Sequence, residues 1–272
     1  MWTDEVLASD SGLSYRRMGS GEPLVLLHGI PGSAATWADV VERLPAGTDA
    51  IVPDLLGFGR SDRPRELGAL HAAAQADALG SLLDELKVTR AIVIGHDFGG
   101  PVSLTLSAAR PDLVAAIGLF ATNAFTDTPI PFPLSMVNWP VVGAVARRAL
   151  FCGPSLRMML RQGVGSGGPR LDPTAHLGDS LQQAAIATIF AGSLTDLARL
   201  YRPVEAQLHA LRVPTIVGWG DRDPFFSLAQ GQRTADAADT ELRCYPGAGH
   251  FLPQERPAEV AADISALVAA TA

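Results

Sequence analysis

The chain has 272 residues, 47% hydrophobic and 18% charged, which is enough apolar material for one large α/β domain or for such a domain carrying an insertion. A formal net charge of −7, with no block of like charge, argues against nucleic acid and anionic membrane as partners. Cys152 and Cys244 lie far apart, the N-terminus has neither a basic start nor an apolar core, and no apolar run reaches span length, which together point to a reduced, cytoplasmic setting.

Residues 13–17 alternate weakly and are expected as an early, edge-type strand. After the turn Gly19-Ser20-Gly21-Glu22-Pro23, the run Leu24-Val25-Leu26-Leu27 reads as a strand buried on both faces of a parallel sheet. His28-Gly29-Ile30-Pro31-Gly32-Ser33 follows at once, and open α/β sheets place ligand sites in such loops at strand C-terminal ends. A helix is expected over residues 37–44, a strand over 50–53, a turn-rich loop over 54–64 and a helix over 69–86. Ala91-Ile92-Val93-Ile94 is a further buried strand, leading through Gly95-His96-Asp97-Phe98-Gly99-Gly100 into the helix-like stretch 101–109. Residues 114–120 are again strand-like.

From about 122 to 212 the strand–helix rhythm stops. This stretch starts proline-rich, at Pro129, Pro131, Pro133 and Pro140, and then turns helical in character. The glycine-rich run at 163–169 interrupts it, so it is expected to be a helical cap with a flexible loop inside. Alternation resumes with a strand at 215–220, a helix at 228–237, a strand at 241–245 and a helix at 257–270. Alternating βαβ units with short loops mean a mostly parallel central sheet covered by helices on both faces. The expected division is therefore a core of 1–121 and 213–272 with a cap insertion at 122–212.

The stretch Gly95-His96-Asp97-Phe98-Gly99 has the form of a nucleophile elbow, G-x-S-x-G, with Asp97 in the serine's place. An aspartate is ionised at neutral pH, so it attacks without a base and forms an ester with its target. Hydrolysing that ester takes a base, a group to orient the base, and an oxyanion hole. The base candidate is His250, in a glycine-flanked loop after the last strand. Asp221 and Asp223 compete as the orienting acid, and the G-x-x-D spacing favours Asp223. The oxyanion donors would be the backbone N–H groups of Phe98 and Ile30. The order Asp97, Asp223, His250 after successive strands fits this hydrolase architecture. His96 is expected to point away from Asp97, and His71, His176 and His209 are read as surface positions.

At these residues the chain resembles the α/β-hydrolase superfamily over nearly everything outside the cap. Gly-His-Asp-Phe-Gly-Gly resembles the branch with an Asp nucleophile, which holds epoxide hydrolases and haloalkane dehalogenases. The resemblance implies a covalent alkyl-enzyme at Asp97, hydrolysis by water that His250 activates, and no cofactor. Tyr201, in Leu200-Tyr201-Arg202, resembles the second of the two lid tyrosines with which epoxide hydrolases hold the epoxide oxygen, while the first has no match. Dehalogenases hold halide with a tryptophan after the nucleophile and an Asn in the oxyanion loop, positions taken here by Phe98 and Ile30. Trp139 in the cap could still supply an indole donor. His28, Phe125 and Trp139 are the expected substrate contacts, and the apolar entrance from Phe125 to Trp139 implies a small hydrophobic substrate. An epoxide hydrolase is the first expectation, a dehalogenase the alternative, and a ligand-binding relative the third. A homodimer is left open.

Overall fold

The computed structural model describes residues 1–64, 66–130, 132, 134–165, 183, 186–187, 189, 192 and 194–271, apart from the side chains of Leu67 and Ala69. Eight strands form one sheet: β1 (Leu7–Ala8), β2 (Ser14–Met18), β3 (Glu22–Leu27), β4 (Thr48–Pro53), β5 (Ala91–His96), β6 (Val114–Phe120), β7 (Thr215–Gly220) and β8 (Leu242–Tyr245). Their spatial order is β1-β2-β4-β3-β5-β6-β7-β8. β1 pairs antiparallel with β2, and β2 with β4, and every pair from β4 to β8 is parallel.

The apolar runs sort by a period of two, as a sheet covered on both sides requires. Val25, Leu27, Val93 and Ile117 enter one core with Leu79 and Leu82 of α2 (Ala72–Glu85) and Val102 and Leu106 of α3 (Gly99–Ala109). Leu24, Leu26, Ile92 and Ile94 enter the other, against Val40 of α1 (Ala38–Val41) and Val260 and Ile264 of the C-terminal helix Pro257–Thr271. Burying one such side chain stabilises by about 1.5–3 kcal/mol. The consequence for function is positional. The C-terminal ends of β3, β5, β6, β7 and β8 all open on one edge of the sheet, beside one another.

Three expectations are corrected. Residues 13–17 are not at the sheet edge, because the two-residue β1 pairs outside β2. Glu22 and Pro23 belong to β3 rather than to the preceding turn, registered against Thr48 and Asp49. The helix expected at 37–44 is a 3-10 turn, Ala34–Trp37, followed by the single turn of α1. Val40 and Val41 are β-branched and Pro45 disfavours helix at Leu44, while the fully buried Trp37 anchors the turn. The strands at 114–120 and 215–220 and the helix at 228–237 fall where the pattern put them.

Between β6 and β7 the regular structure of the described residues is all helical: a 3-10 turn at Leu134–Asn138, α4 (Gly143–Leu150), α5 (Gly153–Gln162), helical positions at 183, 186–187, 189, 192 and 194–195, and α6 (Leu197–Ala210). Pro131, Pro133, His176 and residues 166–169 of the glycine run lie outside the described residues. After β7 come α7 (Leu228–Ala237), α8 (Leu252–Glu255) and α9 (Pro257–Thr271). No described helix is long and apolar enough to cross a membrane.

Gly95 shows what lets β5 and α3 meet. A Cβ there would stand 2.3 Å from the Gly99 carbonyl oxygen and 2.5 Å from the Gly100 nitrogen, both backbone atoms. Gly95→Ala is therefore expected to destabilise the fold by about 1–3 kcal/mol, as overpacking does. Urea unfolding should show a lower midpoint with an unchanged slope, and a midpoint equal to wild type would count against this packing.

Candidate active site

Asp97 sits between β5 and α3 with φ of 50°, a left-handed conformation that costs a non-glycine residue about 1–3 kcal/mol. Its neighbours enforce it. The Asp97 N–H donates to the Phe120 carbonyl at 3.0 Å, and the Thr122 hydroxyl donates to the Asp97 carbonyl at 2.6 Å. β6 thus holds the turn while the side chain projects from the sheet edge. Gly29 makes room for it, since a Cβ on Gly29 would lie 2.4 Å from the Asp97 Cβ. Asp97 Oδ1 accepts the Ile30 N–H at 2.7 Å, and Oδ2 lies 3.6 Å from His250 Nε2.

On its other side His250 Nδ1 donates to Asp223 Oδ2 at 2.9 Å. Asp223 is fixed in turn, because its Oδ1 accepts the N–H groups of Phe225 and Phe226 at 2.8 and 3.0 Å. Asp221 instead accepts the Gly247 N–H at 2.7 Å and tightens the loop, which separates the two competing acids. Phe225, Phe226 and Phe251 meet the imidazole edge-on at centroid distances of 5.0, 5.6 and 5.2 Å. The imidazole is therefore enclosed by aromatic rings on several sides and faces Asp97 and the cavity.

This enclosure sets the charges. Burial opposes a charged His250, but Asp223 and Asp97 outweigh it and raise its pKa to about 10. Burial likewise opposes the Asp97 carboxylate, and the bond to His250, the histidine charges and the Ile30 N–H together lower its pKa. Both directions favour an imidazolium at His250 facing an ionised Asp97. Burial and the nearby Asp97 charge raise the Tyr201 pKa, so its hydroxyl stays a proton donor.

An apolar cavity of about 130 Å³ opens on Asp97 and His250. Among the described residues, Ile30, Phe98, Ile130, Leu134, Met159 and Ile189 supply apolar wall, and Tyr201 and Asn123 supply polar groups. Six of the nine expected site residues thus meet here: Asp97, Asp223, His250, Tyr201, Ile30 and Phe98, with Asp223 reached through His250. Phe98 caps α3, so its N–H stands at a helix N-terminus, next to Asp97 in sequence.

Three expected substrate contacts lie elsewhere. His28 is fully buried with both ring nitrogens used: Nδ1 donates to the Gly29 carbonyl at 2.8 Å and Nε2 accepts the Leu55 N–H at 3.0 Å. Burial lowers its pKa, so it ties two loops together as a neutral ring. Phe125 is 1% exposed and packs under the Arg233 guanidinium, 3.8 Å from the ring centre, rather than in the cavity wall. Trp139 is 51% exposed and does not line the cavity. Among the described residues of that segment, Thr128, Pro129, Ile130 and Leu134 do.

His96 is a further feature the sequence pattern underrated. Its ring turns away from the elbow and is buried against His250, centroids 5.0 Å apart. Nε2 donates to the His250 carbonyl at 2.8 Å, which leaves Nδ1 without a hydrogen-bond partner. Burial, with the His250 charge adding to it, lowers its pKa to about 4 and keeps it neutral. Strand alternation, which puts residue 96 on the face opposite residue 97, was the available signal.

Comparison with known proteins agrees with this architecture. The α/β hydrolase family model matches residues 24–263. Haloalkane dehalogenase 2 of Mycobacterium tuberculosis is 29% identical over 278 residues, covering 97% of this chain and 92% of that protein. Epoxide hydrolase A of the same organism is 27% identical over 305 residues, covering 95% of each. The crystal structure of a putative ancestral haloalkane dehalogenase superposes with a TM-score of 0.80 at 20% identity, covering 98% of this chain and 99% of that one, which speaks to the fold.

The His250 pKa has a consequence for stability. A group whose pKa rises from 6.5 to about 10 on folding contributes fully below about pH 6.5 and loses its contribution as pH rises through 10. The stability advantage of wild type over His250→Gln, measured by urea unfolding, should shrink from about pH 7 to about pH 10. A difference that stays constant over that window would contradict the charged triad.

Proposed function

The chain belongs to the α/β hydrolase family, and within it we propose that it opens hydrophobic epoxides to diols through an alkyl ester on Asp97. Asp97 Oδ1 is already held by the Ile30 N–H, so Oδ2 is the oxygen free to attack the epoxide carbon. As that bond forms the carbon–oxygen bond of the ring breaks, and Tyr201 donates a hydrogen bond to the developing alkoxide. The alkoxide ends as a hydroxyl by taking the proton that His250 gives up.

The charge arithmetic makes this sequence self-timing. While Asp97 is ionised, His250 is held as an imidazolium by two carboxylates. Esterification removes one of them and weakens the hold on the proton, so the neutral base arises only when there is an ester to hydrolyse. His250 Nε2 then takes a proton from water, which adds to the ester carbonyl carbon. The oxyanion forms on Oδ1 against the N–H groups of Ile30 and Phe98. Collapse expels the diol oxygen, which takes its proton from His250. The new Asp97 carboxylic acid passes its own proton to the imidazole, restoring the resting ion pair, with Asp223 steadying the imidazolium whenever it is charged. Residues 122–212 act in this scheme as the cap that roofs the cavity.

The observation that carries the epoxide reading is Tyr201, a protonated phenol in the cavity wall with Asp97, in a cavity that no tryptophan lines among the described residues. Trp219 donates its indole N–H to the Phe226 carbonyl, Trp37 is fully buried, Trp2 packs under Arg16 and Trp139 faces outward. Dehalogenation of an apolar halide is the second reading, favoured by the 29% identical relative and by the Asn123 amide in the cavity wall. That amide is already engaged: its Nδ2 donates to the Phe125 carbonyl at 3.3 Å and its Oδ1 accepts from Phe125 and Gln230 at 3.0 Å. Pure ligand binding would need no imidazole aligned between two acids.

The test is the mass of His250→Gln after incubation with styrene oxide or 1-bromohexane. An Asp97 adduct of the full epoxide mass is expected, with Tyr201→Phe slowing its formation about 100-fold, the typical cost of one such donor. An adduct from the bromide alone, lighter than the bromide by HBr, would instead establish the dehalogenase. No adduct from either would overturn the covalent mechanism.

A further inference from the structure

We propose that Glu255 is a positioning residue for His250, clasping the base's loop to the segment 163–165 that follows α5. This rests on the reading of His250 as the base that hydrolyses the ester. Glu255 ends α8, one turn beyond His250, and is 2% exposed. Its carboxylate accepts three backbone N–H groups: Gly249 at 2.9 Å and Gly165 at 2.8 Å on Oε2, and Phe251 at 3.0 Å on Oε1. Gly249 and Phe251 are the residues on either side of His250. Gly165 belongs to the stretch between β6 and β7. A buried carboxylate is costly unless hydrogen-bonded, and here each bond it needs fixes one of those two segments.

The remaining backbone groups of His250 complete the clasp. Its N–H donates to the Gly163 carbonyl at 2.7 Å and its carbonyl accepts from His96 at 2.8 Å. Segment and loop touch backbone to backbone. A Cβ on Gly165 would stand 2.4 Å from the Gly247 oxygen and the Gly249 nitrogen, and one on Gly249 would stand 2.2 Å from the Gly163 oxygen. Glu255 spans this seam and touches neither the cavity nor the reacting atoms. Its effect therefore passes through the placement of the imidazole.

A positioning role separates the two chemical steps. Attack by Asp97 draws on His250 only for a proton delivered after the carbon–oxygen bond breaks, whereas ester hydrolysis needs Nε2 aimed at the attacking water. In Glu255→Gln one carboxylate oxygen becomes an amide that cannot accept an N–H, so the loop loses part of its hold. Single-turnover mixing with styrene oxide, followed by intact mass, should show adduct formation within about 2-fold of wild type. Hydrolysis should be slower by about 10-fold or more, as small misplacements of catalytic groups cause, so the adduct accumulates. Gly165→Ala, which forces the seam open from the other side, should do the same. A second readout needs no substrate: the downfield proton NMR signal of the His250–Asp223 hydrogen bond should exchange faster with solvent in both variants. Equal slowing of both steps, or unchanged hydrolysis and proton exchange, would overturn the role of Glu255. Absence of an adduct in His250→Gln itself would instead defeat the reading of the mechanism, and the proton exchange would then decide the positioning role alone.

Discussion

One imidazole between two buried carboxylates is the interaction on which the site depends. An ionised carboxylate taken out of water costs on the order of several kcal/mol, and at Asp97 the bond to His250 and the Ile30 N–H offset that cost. Asp223 spends its second oxygen on Phe225 and Phe226, and Asp97 spends one on Ile30. What remains free is one oxygen and one ring nitrogen, 3.6 Å apart, both facing an apolar cavity. The charge that makes this arrangement stable is the same charge that the proposed alkylation of Asp97 would remove. Stability and reactivity are therefore two readings of one electrostatic balance.

The sheet supplies the geometry. Parallel strands bring the ends of β3, β5, β7 and β8 to one edge, and each delivers one element: Ile30, Asp97, Asp223 and His250. β6 and the loop after it contribute less visibly, through the Phe120 carbonyl and the Thr122 hydroxyl that hold Asp97 at positive φ. The apolar wall comes largely from the helical stretch between β6 and β7.

Much of this is legible in the linear pattern. Asp97, Asp223 and His250 stand in loops marked by glycine and proline after apolar runs, and such punctuation reports backbone geometry directly. Ile30 meets Asp97 through its backbone N–H, so its place follows from position and not from its side chain. The failures have a common cause. Whether Phe125 and Trp139 face a cavity depends on how the roof's helices turn, and neither periodicity nor composition records that. His28 sits in the most site-like loop of the chain, yet its ring is consumed by Gly29 and Leu55, a partner 27 residues away. Glu255, in an ordinary Gln-Glu-Arg-Pro stretch, gains its meaning only from Gly165, 90 positions distant. Long-range partners of polar side chains are what the linear pattern leaves out.

The covalent route through Asp97 is tested most directly by following the oxygen. A single turnover of wild-type enzyme with styrene oxide in water enriched in oxygen-18 should yield a diol without label, because its new oxygen comes from Asp97. The label should appear in the peptide that contains Asp97, delivered when water adds to the ester carbonyl. Label in the diol from the first turnover, with none at Asp97, would mean that water attacks the substrate directly, and the covalent route would be wrong.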